Sequence, residues 1–159
     1  MSTHPRELSA LLLAATEMAD RLVEFDPAEW EGQKDVISAG YGQIGDHEAL
    51  HVTTALASFD DESRQQALAW FEWSLSELQK RWGEPARTSK RDFKGFRPRF
   101  SFRGPAEGFV ELVWRLEVAA FAGWRRSETV WSVIWLLSPD GGDAGYFLEV
   151  GVIASSHRS

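Results

Sequence analysis

The sequence predicts an α+β domain in which two main helices pack on one face of an antiparallel β-sheet. Three observations carry that prediction: two stretches with apolar residues at three- and four-residue steps, a β-branched alternating stretch between them, and a C-terminal third that alternates between glycine- and proline-rich turns. At 159 residues the chain is sized for one domain spanning 1–159.

Pro5 suits the first turn of a helix, and Leu8, Leu11, Leu12, Ala15, Met18, Ala19, Leu22 and Val23 share one face, so residues 5–25 read as an amphipathic helix. Asp26-Pro27-Ala28-Glu29 reads as a capped, proline-initiated short helix. Glycines at 32, 40, 42 and 45 oppose a long one, and loop or a brief strand around Val36–Ser38 is expected next. Over 49–58, Leu50, Val52, Thr54 and Leu56 alternate with their neighbours, and the β-branched residues favour a strand.

Asp60 and Asp61 offer an N-cap to a second long helix whose stripe is Ala67, Leu68, Phe71, Leu75, Leu78 and Trp82. Gly83 supplies its stop, with Pro85 behind it. Strands are then expected at Arg99–Arg103, Val110–Val118, Trp131–Leu137 and Tyr146–Ala154. Their turns fall at Gly104-Pro105, Gly123–Ser127 and Pro139–Gly142. Residues 109–122 also fit a helical face, but the alternation favours strand.

The chain has no cysteine, which excludes disulfides, thiolate metal sites and a catalytic thiol and fits a reducing compartment. The apolar run Leu11–Ala15 is too short for a membrane span and no targeting segment is evident, so a cytoplasmic location and no membrane partner are expected. Net charge −7 is unevenly spread. Residues 1–79 hold 4 basic and 15 acidic side chains, residues 80–103 hold 9 and 2, and residues 104–159 hold 4 and 7.

The sharpest motif is His47-Glu48-Ala49-Leu50-His51, the H-E-x-x-H form of zinc hydrolases, in which two histidines hold the metal and the glutamate activates its water. That chemistry requires a helix. The strand expected here separates the two histidine Cα atoms by about 13 Å, too far to chelate one ion. Zinc, with His47 and His51 as ligands and Glu48 as base, is therefore the alternative; no cofactor is the first reading.

A basic segment, Arg87, Lys90, Arg91, Lys94 and Arg97 with Phe93 and Phe96 between, has the ingredients for anion or RNA binding. The acidic balance of the whole chain argues against nucleic acid. Gly40-Tyr41-Gly42-Gln43-Ile44-Gly45 matches G-x-G-x-x-G without the strand or acidic partner of a dinucleotide site, and reads as a flexible linker. No G-x-S-x-G elbow is present.

The acidic stretch Glu17, Asp20, Glu24, Asp26, Glu29, Glu31 and Asp35 reads either as a solvated helix face or, in the functional reading, as a docking surface for a basic protein. Glu24, Glu29, Glu31, Trp30, Trp70 and Trp73 are its candidate contacts. Trp70 and Trp73, off the helix stripe, also permit a homodimer.

The junction Leu78-Gln79-Lys80-Arg81-Trp82-Gly83-Glu84-Pro85, with a strand before and a meander after, resembles the helix end of small bacterial immunity proteins of polymorphic toxins. The resemblance is architectural, over residues 49–154, and transfers no functional residue. It implies a non-catalytic role, capping a basic toxin with an acidic surface. The basic segment 80–103 departs from that pattern.

Overall fold

The two apolar stripes become α1 (Pro5–Leu22) and α3 (Arg64–Trp82). Between them lie a 3-10 helix (Pro27–Gly32), α2 (Lys34–Ala39) and the hairpin β1 (Gln43–Asp46) and β2 (Leu50–Phe59). After α3 come β3 (Arg87–Lys90), β4 (Val118–Arg125), β5 (Val130–Leu137) and β6 (Tyr146–Ala154). This computed structural model describes residues 5–46, 50–60, 63–90, 118–137 and 145–154.

Among the described residues the strands form one antiparallel sheet of six, ordered β1-β2-β6-β5-β4-β3. Period-two alternation decides which side chains meet the helices. Ala120, Ala122 and Trp124 of β4, Ile134 and Leu136 of β5, and Leu148 and Val150 of β6 join Leu8, Leu12 and Ala15 of α1 and Ala67, Phe71 and Leu78 of α3 in one core. A register shift between Ala55 and Ala57 of β2 lets both Leu56 and Ala57 into that core. A second core gathers Met18, Ala19 and Leu22 of α1 with Trp30, Val36, Ile37, Val52 and Val152. The opposite sheet face, with Phe121, Trp131, Val133, Trp135 and Ile153, is buried as well.

The α+β fold with both main helices on one sheet face is as the sequence predicts, and several local expectations are corrected. Val36–Ser38 is helical, because Val36 and Ile37 both turn inward against α1. The glycine-rich segment is built into the fold: Gly40 and Gly42 lie so close to the Met18 side chain that a Cβ at either would clash, and residues 43–46 form β1. The expected turn at Gly123–Ser127 starts later, since β4 runs through Gly123 to Arg125. There the ring of Trp131 covers the glycine, leaving 3.2 Å to an added Cβ.

Ser63, not an aspartate, stands at the N-cap of α3, and its hydroxyl donates to Asp60 at 2.9 Å. Helix α3 stops at Gly83, whose φ of 86° is costly for any other residue. Asp61, the strands expected at 99–103 and 110–117, and the turns at 104–105 and 139–142 lie outside the described residues.

One polar cluster ties the helical layer to the sheet. The Asp20 carboxylate of α1 accepts from Arg81 Nε at 2.8 Å, from Trp82 Nε1 at 2.7 Å, and from Arg126 Nη1 and Nη2, each at 3.3 Å. The Arg126 guanidinium also donates to Ser132 Oγ at 2.8 Å and lies 5.3 Å from the Trp82 ring centre. Trp82 meets Trp124 edge to face, and Trp124 Nε1 donates to the Gly83 carbonyl at 2.7 Å. The C-terminal halves of α1 and α3 are thereby fixed relative to each other and to the β4–β5 turn.

Candidate protein-binding surface

Charge on α1 is sorted by helical spacing. Its apolar face is inward, so Glu17, Asp20 and Arg21 line its outer flank, with Glu24 just past its C-terminal end. α2 lies alongside and adds Asp35, and the two frame a groove of about 470 Å³ whose floor includes Met18, Val36 and Gly40. Four carboxylates thus line it with two arginines; Asp20 is engaged by Arg81 and by Arg126 from outside the lining, so the excess rests on Glu17, Glu24 and Asp35 against Arg21. The excess of negative charge in an open groove favours a cationic guest.

Where the chain leaves α2 for β1, Tyr41 is 64% exposed with φ at 62°, a left-handed conformation that is unusual for a bulky residue. Its neighbours hold it there. Gly40 N–H donates to the Val36 and Ile37 carbonyls, Tyr41 N–H to Ser38, and Gly42 N–H to Ile37 at 2.8 Å. The Thr54 hydroxyl of β2 donates to the Gly40 carbonyl at 2.7 Å, fastening the turn to the sheet. An exposed tyrosine in this strained conformation stands one residue from the groove lining.

The sequence-based candidates divide. Glu24 is exposed and lines the groove. Glu29 and Glu31 are exposed but lie outside its lining, and Glu29 Oε1 accepts from Asp26 N–H at 3.3 Å as part of a capping box. Trp30 is corrected from surface anchor to core: it is fully buried, and its Nε1 donates to the Leu22 carbonyl at 2.9 Å. Trp70 is half-buried with its ring edge-to-face on Phe59, whereas Trp73 is 39% exposed. The structure brings Glu24 together with Glu17, Asp20 and Asp35, all from the acidic stretch; Tyr41 was missed, and its signal was an aromatic set between two glycines.

His51 is on strand β2, buried, opposite Gly45 of β1 and edge-on to Trp135 at 6.2 Å between ring centres. A side chain at position 45 would collide with that imidazole. The helix on which paired zinc ligands would converge is thus replaced by a strand from Leu50 onward. His47 and Glu48 lie outside the described residues, as do Arg91, Lys94 and Arg97. Arg87 and Lys90 begin and end β3, at the sheet edge opposite β1.

Near His51, Glu149 of β6 accepts from Trp135 Nε1 at 2.9 Å. Burial raises its pKa, an effect opposed by hydrogen bonds from Trp135 and Thr53. The folded state therefore holds this proton more tightly than the unfolded chain. Stability falls as pH rises from the ordinary glutamate value, about 4.3, through the raised folded one. Glu149→Gln, which still accepts from Trp135, is expected to be more stable than the wild type at neutral pH and to lose that advantage in acid. Urea midpoints at about pH 4 and about pH 8 would show it; an equal difference at both would contradict it.

No helix among the described residues is long and apolar enough to cross a membrane. Comparison of the chain with protein-family models, curated proteins and solved structures finds no match.

Proposed function

We propose that the chain is a non-catalytic protein-binding domain, of the immunity-type toxin-inhibitor kind, whose partner presents a basic surface to the groove between α1 and α2. The observation that carries this reading is the groove itself: Glu17, Asp20, Glu24 and Asp35 converge on one opening, beside an exposed tyrosine in a left-handed conformation. Complementary charge accelerates encounter, and a central aromatic contributes much of the affinity. A cytoplasmic location without a cofactor accords with a cysteine-free chain.

The reading is tested by capturing the partner on the immobilised chain and mapping hydrogen exchange with and without it. Protection is expected at residues 14–24 and 34–44 in particular. Protection confined to β3–β6 would remove the surface.

Tyr41 supplies a separate prediction. Tyr41→Gly relieves the left-handed strain, so the variant is expected to be more stable by about 1 kcal/mol while binding the partner at least tenfold more weakly. A thermal melt and a titration measure the two effects. A variant with unchanged affinity would show that Tyr41 is no anchor.

A further inference from the structure

β1 (Gln43–Asp46) is an outermost strand of the sheet, and among the described residues it pairs with β2 alone. In an antiparallel ladder every second residue turns its N–H and C=O to the neighbouring strand and the residues between turn theirs away, so two of the four residues of β1 direct both groups out of the sheet. Gln43 and Ile44 are exposed. Ordinary edges are blunted by lysine, proline or a bulge. β1 has none of these: it reads Gln43-Ile44-Gly45-Asp46, its register with β2 is unbroken, and its one charge, Asp46, stands at the end farthest from α2.

Backbone chemistry sets what such an edge accepts, an extended chain whose own donors and acceptors continue the ladder. The surroundings narrow its kind. Ile44 lies opposite Val52, a residue of the second core, so its side chain is on the helical face of the sheet, where it is 36% exposed. Tyr41, three residues earlier, is the other exposed large hydrophobic of this corner. The acidic groove opens onto it: Met18 and Gly40 line the groove, and the Met18 side chain also lies against Gly42, the residue before β1. A chain that runs from the groove past Tyr41 therefore reaches Gln43 within about two residues, roughly 7 Å. Strand pairing over four residues is marginal alone, so the occupant is one that a second surface also engages. That surface, with Glu17, Glu24 and Asp35 in excess, favours a cationic chain. We infer that β1 is extended by a strand of the same basic partner, whose lysines or arginines enter the groove while the adjoining residues pair along β1 with an apolar side chain against Ile44. This deepens the protein-binding reading and rests on it.

The experiment uses the full chain and two fluorescein-labelled peptides, a valine–threonine strand with three lysines either before or after it, followed by anisotropy. Backbone N-methylation of alternate strand residues leaves every side chain in place and removes the donors along one edge of the peptide only. Saturable binding of one peptide is expected, weakened at least tenfold by N-methylation of one alternate set, little changed by methylation of the other, and weakened at least tenfold by Ile44→Lys. No saturable binding, equal effects of the two methylated sets, or no effect of Ile44→Lys in a variant that melts like the wild type would overturn the inference. So would a dimer in sedimentation equilibrium that Ile44→Lys converts to monomer, since the occupant would then be a second copy. Glu24→Lys with Asp35→Lys, in the groove, separates the two claims. If that double variant keeps its captured partner while the methylation and Ile44 results hold, the acidic-groove reading fails alone; if it loses the partner while the peptides ignore methylation and Ile44, the strand-pairing inference fails alone.

Discussion

Trp30→Ala is expected to lose about 4 kcal/mol of stability, because truncating a fully buried aromatic removes its transfer free energy and leaves a cavity. Trp30 has no accessible surface, and it fills the space where α1, α2 and the 3-10 helix meet, among Met18, Ala19, Leu22, Val36 and Ile37. Its Nε1 also donates to the Leu22 carbonyl at the end of α1, which accepts from Phe25 N–H at 3.0 Å as well. Trp30→Phe should cost less, about 1–2 kcal/mol, through the smaller ring and the lost Nε1–H hydrogen bond. Equilibrium urea unfolding measures both. A Trp30→Ala variant that keeps wild-type stability but loses partner binding would restore Trp30 as a surface anchor.

The second large effect is expected at Asp20. Asp20→Ala removes the acceptor shared by Trp82, Arg81 and Arg126, and a loss of about 3 kcal/mol is expected. Most of it comes from two places. Trp82 Nε1 loses its 2.7 Å acceptor, and Arg126, only 24% exposed in its side chain, loses its anionic partner while still lying over the Trp82 ring. The Arg81 arm, 42% exposed, contributes less than about 1 kcal/mol because water screens it. Asp20→Asn keeps an acceptor and should lose about half as much. Thermal unfolding of the pair separates charge from hydrogen bonding; equal losses would mean that only the charge matters.

The strands β5 and β6 and the two helical stripes were legible because each buries a periodic set of side chains, and period is what a sequence displays. Tyr146–Ala154 and the stripe through Ala67, Phe71 and Leu78 are recovered directly. Elements defined by close approach were not. Gly40, Gly42 and Gly45 read as breakers, yet each makes room for a neighbour, Met18 for the first two and His51 for the third. The same holds at Gly123, where the ring of Trp131 takes the place of a side chain. Val36 and Ile37 are adjacent, and two neighbouring apolar residues carry no period with which to choose helix over strand.

For the candidate surface, composition located the acidic half but could not aim its side chains. Which carboxylates converge depends on how α2 lies beside α1, and that is set by Trp30 in the second core. The inward turn of Trp30 follows from its place in a 3-10 helix capped by Asp26, too short to show an amphipathic pattern. Tyr41 stood out in sequence only as an aromatic between glycines; its exposure and positive φ are properties of the turn that Thr54 and the end of α2 hold in place.

The central claim is that the groove between α1 and α2 attracts a basic protein by charge. The measurement that tests it most directly is stopped-flow association of the captured partner with wild type and with Glu24→Lys/Asp35→Lys, at low and at physiological ionic strength. An association rate about tenfold slower or more for the variant, with a dissociation rate nearly unchanged and a flattened salt dependence, is the predicted result. An unchanged association rate that retains its full salt dependence would place the electrostatic docking site elsewhere on the molecule and contradict the claim.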